Sequence, residues 1–169
     1  MLAKTNFKNE DFFQKIGHIC IFFATLDFFI TLLFLRLIKD PKSKSLKNLN
    51  DNSTLRQKIE LLNSVHESDV IDPKVLINFK KNYDKLVKIA DERNRYIHDQ
   101  WVFIEEDVAV GNITRLHLTD FRKGVITPIP HKVNIKDFDD FLKEIGGMQK
   151  LIGELANRVP NDFPAKKKA

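Results

Sequence analysis

Apolar residues recur along this chain in three rhythms, and each predicts a different element. Between Ile19 and Ile38 only Thr25, Asp27, Thr31 and Arg36 interrupt an apolar run. A helix with no polar face is therefore expected, from about Asn9 or Asp11 to about Ile38. Residues 1–8 are polar and expected to fray, and residues 39–52 form a lysine-rich polar loop. Thr54 with Gln57 makes a capping box, and Leu55, Ile59 and Leu62 then mark a short second helix to about Val65. Asp72 before Pro73 is an N-cap followed by a proline in the first turn, a strong helix start. The stripe Leu76, Phe79, Tyr83, Leu86, Ala90 and Ile97 carries that third helix to about Asp99.

The rhythm then changes to period two. Trp101 to Glu105, Val108 to Val110 and Ile113 to Leu118 read as short strands, with Gly111-Asn112 suited to a tight hairpin turn. Residues 124–133 predict a further strand, which Pro128 and Pro130 confine to a sheet edge. Asn134 with Asp137 caps the last helix, whose stripe is Phe138, Phe141, Ile145, Met148, Ile152, Leu155 and Val159, ended by Pro160. Gly146-Gly147 inside it costs about 1 kcal/mol per glycine unless another backbone packs close. The expected fold is mostly α: a four-helix bundle with a small β-hairpin or three-strand insert, about residues 101–133, between helices 3 and 4. It forms one domain over 1–160, with a disordered basic tail at 161–169.

Composition adds bounds. With 169 residues, 43% hydrophobic and 30% charged, the chain is long enough for a proper core. A net charge of +5 permits a polyanionic partner, though the lysines are dispersed. Cys20 is the sole cysteine, which excludes an internal disulfide and a cysteine-based zinc site. Its apolar surroundings predict a buried, inert thiol. No cleavable signal pattern opens the chain. About 20 apolar residues suffice to span a bilayer, so the first helix admits a membrane reading. Asp27 near its centre opposes insertion by roughly 3 kcal/mol. Lysines flank both ends, and the amphipathic helices need a central partner. The expectation is a helix at the centre of a bundle or dimer in a soluble, cytoplasmic protein.

The candidate chemistry sits at the end of the third helix, in Asp91-Glu92-Arg93-Asn94-Arg95-Tyr96-Ile97-His98-Asp99-Gln100-Trp101. On a helical wheel Arg93 lies about 60° to one side of the stripe's centre, with Asn94 about 40° and His98 about 80° to the other. Polar groups entering an apolar face need partners or form a site. An arginine, a polar residue and a histidine five positions after the arginine, with a tryptophan soon after, resemble the R-x(4–6)-H signature of HEPN domains. The layout from about Phe12 to about Val159 is similar to that family as well. The resemblance implies a small all-α domain, often a metal-independent ribonuclease that works as a dimer.

On that resemblance Arg93, Asn94 and His98 are the catalytic candidates, with Tyr96, Trp101 and Asp27 in support. His98 would move protons at the ribose 2′-OH and the leaving 5′-oxygen. Arg93 would stabilise the phosphoryl oxygens, and Asn94 would orient the histidine or the phosphate. No cofactor and no metal are implied. Residues five apart on a helix point about 140° from each other, so two copies facing across a twofold axis would be needed to gather the groups. Asp27 either pairs with a basic residue inside the bundle or holds Arg93 or His98 in place. His117 and His131, fourteen apart, are expected on the surface, and His18 and His66 show no pattern. Where some HEPN toxins carry a modifiable tyrosine two residues after the histidine, this chain has Gln100. The partners implied are RNA, a second copy of the chain and a protein partner or antitoxin in a defence system. A non-catalytic RNA- or protein-binding module and a small membrane-anchored protein are the competing readings.

Overall fold

The computed structural model describes residues 3–40, 42–43, 49, 53–104, 112–119 and 127–160. These are mostly helical, with one small sheet. In chain order they form α1 (Ala3–Leu37), α2 (Leu55–Asn63), a 3₁₀ turn (Glu67–Asp69), α3 (Pro73–Lys81), α4 (Tyr83–His98), β1 (Gln100–Val102), β2 (Asn112–Thr119), β3 (Thr127–Asn134) and α5 (Ile135–Arg158). Two compact units share them: Met1–Phe22 with Glu92–Glu144, and Phe23–Asp91 with Ile145–Ala169.

Caps set the helix starts. Thr54 accepts from the Gln57 backbone, and the Gln57 side chain accepts from the Thr54 N–H, the reciprocal box expected. Asp72 accepts from the N–H groups of Lys74 and Val75 ahead of α3. Asn134 Oδ1 accepts from Lys136 N at 2.9 Å while Asp137 Oδ2 accepts from Asn134 N at 2.8 Å, closing the start of α5.

The expected third helix is two helices. Asn82 leaves helical geometry at φ −106° and ψ 8°, between α3 and α4. Its Nδ2 donates to Asn78 O at 2.9 Å, a local bond that competes with the helical ladder. Helix α1 also starts earlier than expected, at Ala3.

In the first unit, β1, β2 and β3 make an antiparallel sheet in that order, with Trp101 opposite Arg115 and Ile113 opposite Val133. The proline-bearing strand stands at the edge, as its missing donors require. Residues 108–111 and the tail 161–169, for which a strand, a turn and disorder were expected, lie outside the described residues. An aromatic core gathers Phe12, Tyr96, Trp101, Phe138 and Phe141 with ring centroids 4.8–5.9 Å apart. Lys15 reaches Asp139 at 2.6 Å beside it.

In the second unit, Leu26, Ile30, Leu33, Phe34, Ile59, Leu62, Leu76, Phe79, Leu86 and Ile152 are fully buried. Ile71 N donates to Leu37 O at 2.8 Å and Lys39 N to Asp69 O at 3.0 Å, pinning the end of α1. Arg36 donates to Ala156 O at 3.0 Å. A methyl added at Gly153 would meet the Phe29 ring at 3.5 Å, an ordinary contact, whereas one at Gly147 would meet nothing within 4 Å.

Helix α1 buries one side and leaves another open. Its stretch Glu10–Leu37 is long and apolar enough to cross a membrane by length and composition; its most apolar window reaches mean hydropathy 2.2, and 28% of that window is buried. Phe12, Ile19, Leu26 and Leu33, spaced by seven, face inward, while Phe13, Ile21, Phe28 and Leu35 are exposed. Cys20, expected buried, is exposed for the same reason: it falls outside the inward-facing positions.

Candidate functional site

The candidate residues occupy the last two turns of α4, within the first unit. The wheel expected from the sequence is corrected here. The buried positions approaching this end are Leu86, Ile89, Ala90 and Tyr96, while Ile97 is only half-buried. Tyr96 takes the core place because its ring stacks on Phe141 and meets Phe138 edge-on. That shift brings Arg93 to within about 10° of the centre of the buried face, with Asn94 about 105° and His98 about 145° away from it.

The side chains follow this geometry. Arg93 is half-buried and donates from Nη1 to Asn94 Oδ1 at 3.1 Å. Asn94 and His98 are exposed, and His98 has no hydrogen-bond partner among the described residues. The helix spans Arg93 to His98 without a break, so the two side chains of one chain diverge by about 140°. The structure therefore brings Arg93 and Asn94 together and leaves His98 open to solvent.

The supporting candidates are held structurally. Trp101 donates from Nε1 to Tyr96 O at 3.1 Å, satisfying a carbonyl of the last helical turn. Tyr96 is buried, and that burial first, with Glu92 nearby, pushes its phenol up to about 12. Asp27, in the second unit, accepts from Lys58 Nζ at 2.8 Å, and the same ammonium donates to Thr31 Oγ1 at 3.1 Å. Its basic partner is thus a lysine of α2.

Residues not anticipated from the sequence complete the surroundings of the motif. Arg115 on β2 is buried, lies 2.9 Å from Glu92 and 3.4 Å from Asp99, and stands over the Tyr96 ring at 5.5 Å. Asp99 is half-buried with its side chain largely covered, and Glu92 takes a second arginine, Arg95, at 3.2 Å. This carboxylate–arginine–carboxylate bridge ties the sheet to both ends of the motif. The available signal was the alternation of β2: Arg115 is in phase with Ile113, so a charge was headed for the covered face.

No protein-family model matches the chain, and no curated protein or solved structure matches it. Among the described residues no group of three His, Cys, Asp or Glu side chains could hold a metal ion. His18, His66 and His131 are exposed. The motif itself offers a fixed guanidinium with an amide beside it and a separate, solvent-open imidazole one turn on. That set can bind an anionic oxygen and move a proton, given substrate in reach of both.

Proposed function

We propose that this chain is a cytoplasmic, metal-independent endoribonuclease of the HEPN type, cleaving RNA by attack of the ribose 2′-OH on the adjacent phosphorus. The observation that carries this is the final two turns of α4: Arg93 hydrogen-bonded to Asn94, with His98 left open to solvent. The broad layout adds support, since a small sheet stands between the motif helix and the last helix. In this reading His98 takes the 2′-OH proton or donates one to the departing 5′-oxygen. Arg93 offers its planar fork to the phosphoryl oxygens, and Asn94 holds that fork in place. The products are a 2′,3′-cyclic phosphate and a 5′-OH end. Because Arg93 and His98 diverge by about 140° on one helix, two copies supply one site, Arg93 from one and His98 from the other. The exact HEPN bundle, a role in a defence or toxin–antitoxin system and an antitoxin partner belong to the same proposal.

The test is purified protein with total RNA in the presence of chelator. His98→Ala should lower cleavage by ~10²–10⁴-fold, the usual contribution of a general acid–base group. Arg93→Lys should recover little, because a point charge does not replace the fork. Unfolding of the alanine variants would assign the residues to stability. A second reading, a non-catalytic binding module of the same type, is favoured by one observation: Arg93 points along the buried face of α4. Wild-type protein that binds RNA or a protein but leaves RNA intact would decide for it.

A further inference from the structure

The last two turns of α4 present three polar side chains to solvent. Asn94, Arg95 and His98 are exposed, whereas Arg93 is half-buried. At about 100° per residue, Arg95 lies about 155° round from the centre of the buried face, the most outward position of the motif. His98 stands between its two exposed neighbours, about 40° from Asn94 and about 60° from Arg95. Residues three apart on a helix have Cβ atoms about 5–6 Å apart, so Arg95 and His98 of one chain can reach one stretch of ligand together. Four charges surround this face. Glu92 Oε1 takes Arg115 at 2.9 Å and Glu92 Oε2 takes Arg95 at 3.2 Å, while Arg115 lies 3.4 Å from Asp99. The two guanidinium groups differ. Arg115 is enclosed and is held by both carboxylates and the Tyr96 ring. Arg95 has a side chain 53% exposed and pairs with Glu92 one turn back. Because Arg115 occupies the other oxygen of Glu92, Arg95 can leave without stranding that carboxylate. An exposed pair of this spacing is weak, so a phosphate can take the guanidinium over.

We propose that Arg95 is a substrate-binding residue that holds the RNA backbone at a phosphate next to the reacting one, beside His98 of the same chain. This rests on the ribonuclease reading and adds to it. In that reading Arg93 of the second copy meets the reacting phosphoryl oxygens, so Arg95, which travels with His98, takes a neighbouring phosphate. Charge selects the class of occupant. Glu92 and Asp99 bring two negative charges to this face and Arg115 one positive charge, so without Arg95 the face would repel a polyanion. With Arg95 the four charges cancel, and its planar fork is turned outward, where it can take two phosphate oxygens. An anchor on an unreactive phosphate binds ground state and transition state equally. It therefore lowers KM and leaves kcat alone. It also carries no base preference, since phosphate contacts position a strand and base edges specify it.

The test is a fluorescence titration with a short 2′-O-methyl oligouridylate, which lacks the nucleophilic hydroxyl, so binding is read without cleavage. Arg95→Ala should weaken binding about tenfold at low salt. It should also reduce the slope of log affinity against log salt by about 0.7, the value for one phosphate contact on a single strand. Arg95→Lys should keep the slope and most of the affinity, because the charge is retained. Lys143→Ala removes the same charge from an exposed position on α5 and should move neither quantity. With cleavable RNA, Arg95→Ala should raise KM about tenfold and keep kcat within about twofold. Its Tm should stay unchanged, since the pair lost is exposed. A slope change no larger than that of Lys143→Ala overturns the proposal and leaves the ribonuclease reading standing. A fall in kcat at constant KM also overturns it, by placing Arg95 on the reacting phosphate. Binding of poly-L-glutamate that depends on Arg95 to the same extent overturns it too, by naming an acidic protein segment as the occupant. An Arg95-dependent slope in a wild-type protein that cleaves no RNA supports the anchor and removes the ribonuclease reading alone.

Discussion

Arg115→Met offers a direct measure of what holds the motif in place. The guanidinium is 9% exposed at its side chain and bridges Asp99, 8% exposed, and Glu92, 26% exposed. Methionine keeps the length and apolar stem but removes the charge. Breaking a buried ion pair from one side costs about 3–5 kcal/mol, because the remaining carboxylate loses the charge it faced. Asp99, the more enclosed of the two carboxylates, bears more of that cost. Glu92 bears less, since water reaches it and Arg95 stays beside it. An overall loss of about 3 kcal/mol is expected, a large share of a stability of ~5–15 kcal/mol. Urea unfolding followed by circular dichroism should show the midpoint falling at constant slope. Adding Asp99→Asn should recover part of the loss, because the carboxylate that faced the arginine is then neutral. A loss below about 1 kcal/mol would refute the bridge as a structural tie, as would a double variant whose losses simply add, since contacting groups should couple.

Other outcomes follow from the same structure. Tyr96 has its phenol raised to about 12, so its neutral form contributes fully below the unfolded value near 10 and loses that contribution as pH rises through 12. Between those values wild type should lose about 2 kcal/mol more than Tyr96→Phe, measured by denaturant titration at each pH. Gly147→Ala should raise stability by about 1 kcal/mol, because the added methyl is exposed and the helix gains propensity; a lower Tm would contradict it. Asp27→Asn should cost about 1–2 kcal/mol, a figure reduced because the carboxylate is a third exposed.

Local chemistry was the most legible layer of the chain. The reciprocal bonds at Thr54 and Gln57, the Asp72-Pro73 start and the Asn134–Asp137 closure are all settled within four residues. Pro128 and Pro130 marked an edge strand for an equally local reason, the missing donors. The helix break at Asn82 was hidden because an asparagine is tolerated within a helix until its amide finds the carbonyl four residues back. Helix α1 hid its own orientation: with apolar residues all round, nothing in phase or polarity separated the inward Ile19 from the outward Ile21. At the motif, composition could not say whether Tyr96 or Ile97 would enter the core, and one residue's difference turned Arg93 onto the buried face. Arg115, Glu92 and Asp99 meet only through sheet pairing, a long-range fact that no window of the chain contains.

The two prolines of β3 have a consequence for aggregation. Each pairs with β2, opposite Leu116 and Leu118, and can do so only with its nitrogen turned to the free edge. That edge therefore lacks donors at positions 128 and 130, and the next outward donor but one, Asn134 N–H, is taken by Asp137. The proline-bearing border therefore cannot template a further strand across those positions, so growth by strand addition, the usual route to fibrils from exposed β-edges, is blocked there. Replacing Pro128 and Pro130 with threonine would keep the fold's register while opening such a template.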